Sequence, residues 1–203
     1  MLANSNRHNI YGDTLVEALF AITIFSLVAV GSMSVMNQAS ATAQRALEIT
    51  LVRQEIDAQA ETLRFLNASY IANYSSSIVN NCTTPSSRWM AIGCRSIANI
   101  STFNTSSSCS IPSGSFILNS RKATLSSISP SLAQTFSQVR YNAAADVSSS
   151  EGIWIQAIRP TITGSNEDNS GYVDFHIRAC WDSPGQSIPV SIGTIVRLYE
   201  PRQ

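Results

Sequence analysis

Two acidic residues, Asp13 and Glu17, stand at the start of a long segment without charge. Residues 18–44 contain no Asp, Glu, Lys, Arg or His. A carboxylate at the edge of the hydrocarbon layer of a membrane costs on the order of 2 to 3 kcal/mol in insertion experiments, so it is expected to have a partner. Pairing of Glu17 with a positive group is therefore the first chemistry that the sequence suggests.

Side chains suited to catalysis are few. His8 precedes the uncharged segment, which leaves His176 as the one histidine after it. His176 alternates with Asp174 and Arg178, a pattern more typical of a polar row on one strand face than of a catalytic dyad. The many serines lack a GxSxG motif. These patterns do not favour an enzyme.

Oxygen donors that suit calcium cluster in residues 164–171, which read GSNEDNSG. The candidate ligands are Asn166, Glu167, Asp168 and Asn169. Their spacing is not that of an EF-hand loop, and a solvated hairpin turn explains the same composition. The sequence thus offers weak calcium candidates and predicts no cofactor.

All four cysteines, Cys82, Cys94, Cys109 and Cys180, follow the uncharged segment. None belongs to a CxxC pair, so the spacing does not favour zinc or a redox-active dithiol. We predict two disulfides in an oxidising compartment, with Cys180 tying the sheet to the region before it. Three connectivities are possible.

The charge balance argues against nucleic-acid binding. Thirteen basic and thirteen acidic residues leave no net charge, and Lys122 is the only lysine. No concentrated basic patch is therefore expected. A length of 203 residues suits one head domain and an extended element.

The uncharged segment predicts a transmembrane helix over about residues 15–38, since about 20 apolar residues cross a bilayer. Residues 1–12 carry Arg7 and no acid, which favours a cytoplasmic N-terminus and an extracytoplasmic remainder. A cleaved secretory signal is the alternative, because residues 39–43 (ASATA) offer small side chains after the apolar run.

A helical pattern continues beyond the membrane segment and predicts one helix from about residue 15 to about residue 73. Its outer half carries a stripe at spacings of three and four: Ile49, Val52, Ile56, Gln59, Leu63, Leu66 and Tyr70. Charged residues fill mainly the other faces: Arg45, Glu48, Arg53, Glu55, Asp57, Glu61 and Arg64. The stripe must be covered by the head domain.

Residues 75–114 are rich in Ser, Thr and Asn and predict a long connecting region pinned by cysteines. Strands are predicted at 116–118, 136–141, 153–158, 172–181 and 194–199, and the last three suggest an antiparallel meander. The predicted fold is α+β, with residues 13–74 as a long helix packed on an antiparallel sheet of about four strands in a head of residues 75–203.

The boundary between leader and apolar segment resembles the cleavage motif of type IV prepilins and pseudopilins, which reads Gly, a variable residue, Thr, Leu, an aliphatic residue and Glu. The matching residues are Gly12, Asp13, Thr14, Leu15, Val16 and Glu17. The motif match covers about 30 residues with the apolar helix, and the layout of the whole chain agrees with it.

The resemblance implies that a prepilin peptidase cuts between Gly12 and Asp13, and that the new amine pairs with Glu17, usually on a neighbouring subunit. It implies assembly into a type IV pilus or a type II secretion pseudopilus, with other subunits and an inner-membrane platform as partners. Asp13 stands where most family members carry an apolar residue, sometimes methylated, and no proline kinks the apolar run. These departures favour a minor pilin or pseudopilin. The rival function is a single-span anchored enzyme or ligand-binding domain.

Overall fold

The computed structural model describes residues 13–74, 85–93, 109–159 and 171–201. The chain divides into a unit of residues 1–44 and a unit of residues 45–203. Helix α1 (Asp13–Ala72) runs through the first unit into the second. It is followed by α2 (Pro85–Gly93), β1 (Leu118–Asn119), β2 (Thr124–Leu125), β3 (Gln138–Tyr141), β4 (Val147–Glu151), β5 (Ile153–Ile158), β6 (Tyr172–Trp181) and β7 (Val190–Tyr199).

Helix α1 is 60 residues long and confirms the prediction of one long N-terminal helix. No proline or glycine interrupts the sequence between Ser32 and Ala72, so nothing removes a backbone donor or adds backbone freedom there. The helix ends where Asn73 donates from both its backbone and its side-chain nitrogen to the carbonyl of Ser69.

The outer half of α1 buries the predicted stripe. Val52, Leu63 and Leu66 are fully buried, and the remaining members reach at most 7% exposure except Ile49, which packs against the core from its edge. Their partners in the core come mainly from β5 and β6. The unit that contains the sheets therefore includes the helix residues from Arg45 onward.

The α+β class is confirmed, but the prediction of a single sheet of about four strands is wrong. The described residues form three small antiparallel sheets: β1 with β2, β3 with β4, and β5-β6-β7. The meander of the last three strands is as predicted. Phe116 adds only an isolated bridge to Ile155 at the outer side of β5.

Gly152 explains why β4 and β5 belong to different sheets. Its φ of +65° suits glycine, and a Cβ there would lie 2.5 Å from the backbone oxygen of Cys180. The chain turns sharply at this point while the Gly152 carbonyl accepts bonds from Cys180 N at 2.8 Å and Ser137 Oγ at 2.9 Å. The turn redirects the chain between the two strands.

Helix α2 lies within the predicted connecting region, residues 75–114, where the sequence did not predict a helix. Pro85 begins it, which suits a first-turn position whose missing N–H costs nothing, and Gly93 ends it. Trp89 and Ile92 are buried three residues apart. The Trp89 indole contacts Phe175 edge-on at 5.6 Å between ring centroids and donates to Glu200 Oε1 at 2.9 Å.

Glu48 makes a contact between α1 and the sheet that the sequence did not predict. Its Oε2 accepts hydrogen bonds from Trp181 Nε1 at 3.0 Å and Ser183 Oγ at 2.8 Å. The carboxylate thus joins the helix to the end of β6. Without this bond the indole nitrogen of a buried tryptophan would lack an acceptor.

A disulfide joins Cys109 to Cys180, with their Cα atoms 5.3 Å apart and a sequence separation of 71. It ties the connecting region to β6 and confirms one predicted bridge. Cys82 and Cys94 lie outside the described residues. Two bridges in all would require Cys82 to pair with Cys94, because the other two cysteines are already joined.

Gln59 is the polar member of the buried stripe, and its amide is fully buried. Its Nε2 donates to the Leu118 carbonyl at 2.9 Å, and its Oε1 accepts from the Leu118 N–H at 3.0 Å. The side chain thereby acts as one more peptide group beside β1. This contact connects α1 to the chain 59 residues later.

We predict that Gln59→Leu lowers the free energy of unfolding of the head by about 2 to 4 kcal/mol, because both polar groups of Leu118 lose their side-chain partner. Gln54→Leu, on the exposed face of the same helix, should change it by less than about 0.5 kcal/mol. Urea unfolding of the full chain in detergent, followed by tryptophan fluorescence, measures both. Equal midpoints would contradict the assigned role of Gln59.

We predict that replacing Cys109 and Cys180 together by alanine lowers the free energy of unfolding by about 2 to 4 kcal/mol, since the bridge restricts the unfolded chain. Peptide mapping of protein purified without reductant should recover the Cys109–Cys180 peptide and a second one joining Cys82 to Cys94. Four free thiols, or Cys180 bonded elsewhere, would refute this prediction.

Candidate functional site

The apolar half of α1 presents its side chains outward. Its large apolar residues between Leu15 and Met36 are 52% to 74% exposed. The most apolar 18-residue window has a mean hydropathy of 2.2, and none of it is buried. Within the described ranges α1 is the one helix that is long and apolar enough to cross a membrane. Nothing in this half of α1 resembles the core helix of a water-soluble domain.

Three hydroxyl groups in this segment are satisfied within the helix itself. Thr23 Oγ1 donates to the Phe20 carbonyl at 2.8 Å, Ser26 Oγ to Ile22 at 2.7 Å, and Ser32 Oγ to Val28 at 2.8 Å. Such bonds remove the cost of an unpaired hydroxyl in hydrocarbon. The polar residues of the segment are therefore compatible with a lipid surrounding.

Glu17 is a carboxylate at the start of the apolar segment, so its stability depends on a positively charged partner. The motif residues described with side chains, Thr14, Leu15, Val16 and Glu17, are all exposed on the first turns of α1. Asp13 begins the helix, and Gly12 lies outside the described residues. Both acids stand near the helix N-terminus, where the macrodipole favours negative charge. Residues 13–44 contain no basic side chain, so this stretch of helix supplies no cation to Glu17.

The polar row that contains His176 lies on the outer face of β6. Asp174 accepts both hydrogen bonds of Arg197 on β7, at 2.7 and 2.8 Å, and Arg178 lies over the Trp154 ring at 5.8 Å. His176 faces Gln156 and Ile195 across the strands. Burial lowers the pKa of His176, Asp174 opposes this, and Arg178 adds to it. The carboxylate that could orient this histidine is thus occupied by Arg197.

Metal ligation has no support among the described residues, which contain no group of three or more His, Cys, Asp or Glu side chains placed to hold an ion. The weak calcium candidates Asn166, Glu167, Asp168 and Asn169 lie outside the described residues. Among the described residues, the motif at the N-terminal end of α1 therefore remains the candidate functional site.

Exposed apolar residues also occur on the outer half of α1, beyond the membrane-length segment. Leu47, Leu51 and Phe65 are 65%, 46% and 52% exposed. With Ala58 they recur at spacings of four and seven, which places them on one side of the helix. That side lies opposite the stripe that faces the sheets. The sequence-based assignment of charged residues to the exposed faces missed this second stripe.

Comparison of the chain with models of protein families, with characterised proteins and with solved structures finds no match.

Proposed function

We propose that this chain is a pilin-like structural subunit of a type IV pilus or a type II secretion pseudopilus. The observation that carries the proposal is the motif Gly12 to Glu17 at the start of an exposed, membrane-length apolar helix. The continuation of that helix into the core of an α+β head supports the same function.

Processing would supply the missing counter-charge of Glu17. A prepilin peptidase of the cytoplasmic membrane cuts after Gly12 and leaves a free amine on Asp13. Two unit charges about 4 Å apart attract by about 4 kcal/mol at an effective dielectric constant of 20, against about 1 kcal/mol in water. The amine of one subunit therefore docks against Glu17 of its neighbour most strongly inside the membrane.

The second exposed stripe supports assembly outside the membrane. Leu47, Leu51 and Phe65 would remain in water in an isolated subunit. Burial of apolar surface contributes roughly 25 cal/mol per Å², so covering these side chains with the helices of neighbouring subunits favours a bundle. The heads then form the surface of the filament, and the assembly platform and the other subunits are its partners.

We predict that Gly12→Val leaves the full-length precursor in the membrane, because a side chain at the scissile bond obstructs the extended substrate. Terminal sequencing and intact mass should show the wild-type chain starting at Asp13 and the variant at Met1. A wild-type chain that starts at Met1 would indicate the rival, an uncleaved single-span anchor. Normal processing of the variant would refute the assigned cleavage site.

We predict that Glu17→Ala leaves cleavage and the fold of the head intact but reduces entry into filaments, because the new amine loses its counter-charge. The additional change Asp13→Ala should be at least as severe, since Asp13 could substitute in part. Glu61→Ala, an exposed acid farther along α1, is the matched control. The measurement is the ratio of processed protein in sheared filaments to that in membranes, and a wild-type ratio for Glu17→Ala would contradict the pairing.

A further inference from the structure

The end of the head at which α1 enters is marked by a contact between Glu48 and the end of β6. Glu48 Oε2 accepts from Trp181 Nε1 at 3.0 Å and from Ser183 Oγ at 2.8 Å. Farther along the helix, Asn67 Nδ2 donates to the carbonyl of Tyr199, which lies beside the start of β6. Strand β6 therefore runs opposite to α1. The end defined by Glu48, Trp181 and Ser183 is the entry end of the head.

The turn between β6 and β7 lies at the entry end and belongs to an uncharged stretch, residues 183–196. Ile188 in this turn is 66% exposed. The residues from Pro184 to Ser187 are exposed as well. The turn thus presents a large apolar side chain on a stretch of chain that carries no charge.

A second uncharged stretch, residues 123–139, reaches the same end of the head. Within it Ala133 packs beside Gly152, since a Cβ built on Gly152 would lie 2.6 Å from Ala133 Cβ and 2.5 Å from the backbone oxygen of Cys180. Cys180 is the last residue but one of β6, so this loop also lies at the entry end. Leu132, next to Ala133, is 60% exposed. Two uncharged loops at one end of the head therefore each present an apolar side chain.

The length of the uncharged stretch of α1 indicates how close the entry end comes to a membrane. Residues 18–44 extend over about 40 Å at a rise of about 1.5 Å per residue. The hydrocarbon layer is only about 30 Å thick, and its headgroup layer adds roughly 5 to 8 Å on each side. A stretch longer than the hydrocarbon layer is accommodated by a tilt of up to about 40°. Such a tilt brings Glu48 within about 10 Å of the hydrocarbon and lowers one side of the head toward the headgroups.

Lipid headgroups are the partner that these two loops fit. A charged loop loses hydration when it enters the interfacial layer, whereas an uncharged loop with an exposed apolar side chain gains from burial there. Asp182, the one acid of the turn, is exposed and can stay hydrated at the level of the headgroups. Arg45, the first charge after the uncharged stretch of α1, suits the phosphate groups.

We propose that the entry end of the head lies on the membrane before assembly, with Ile188 and Leu132 buried in the headgroup layer. The contact holds the head in one orientation on its anchor, and it is lost when the subunit leaves the membrane. This proposal rests on the membrane anchoring that the proposed function includes. It depends neither on cleavage after Gly12 nor on filament formation.

The test uses the full chain, one copy per lipid nanodisc, with a single added tryptophan and lipids that carry a nitroxide quencher on the headgroup. The native residues Trp89, Trp154 and Trp181 are at most 2% exposed and give a constant background. We expect the emission added by Ile188→Trp and by Leu132→Trp to fall at least about twofold relative to unlabelled lipid.

Tyr199→Trp is the matched control, because Tyr199 is 64% exposed and lies at the opposite end of the sheet. Its emission should change by less than about a tenth, since a headgroup quencher does not reach that end. Phe25→Trp, in the apolar half of α1, reports insertion of the anchor through lipids labelled on the acyl chain.

If Phe25→Trp is quenched but either loop variant is not, the proposed contact is wrong while the membrane anchor and the proposed function stand. If Phe25→Trp is not quenched, the anchoring itself is contradicted, and the contact with it. Equal quenching of Tyr199→Trp would overturn the proposal, because the head would then touch the membrane without a fixed orientation. Protection of the loops that requires an added protein would also overturn it and indicate a protein partner.

Discussion

The core of the head is organised around the buried side of α1. Residues from Val52 to Tyr70 supply a continuous strip to which the sheets attach, and the strip carries a buried amide, Gln59, in its middle. Apolar burial is non-directional, so it holds the layers together without fixing their register. The two bonds from Gln59 to Leu118 add direction, because a buried amide is satisfied at one position only.

Further polar contacts fix the remaining elements to the same strip. Glu48 joins α1 to the end of β6 through Trp181, and Glu200 receives Trp89 from α2 and Arg159 from the end of β5. Both carboxylates accept from groups that would otherwise be buried without a partner. The small sheets therefore act as one unit although they share few backbone hydrogen bonds.

The opposite requirement governs residues 13–44, the described part of the first unit, whose large apolar side chains are exposed rather than packed on a partner. Exposed apolar side chains and a carboxylate without a neighbouring cation are both costly in isolation. A lipid environment resolves the first cost, and a positive group from outside this segment resolves the second. The same chain thus combines a head with its own buried core and a helical segment whose stability depends on its surroundings.

The sequence by itself determined every feature that follows from local periodicity: the length of α1, its buried stripe, the ends of β5 and β6, and the placement of the motif before the apolar helix. It did not predict β4, because Val147–Glu151 is mostly serine and becomes a strand only by pairing with β3. It also did not predict α2, because Pro85 and the serines after it are typical of a loop. The contact of Trp89 with Phe175 on β6 is a tertiary interaction that the local sequence does not indicate. Only the tertiary structure decided that Cys109 bonds Cys180, that Gln59 meets Leu118, and that β7 is left at an edge. Each of these joins residues distant in sequence, and periodicity along a chain carries no information about which distant surfaces meet.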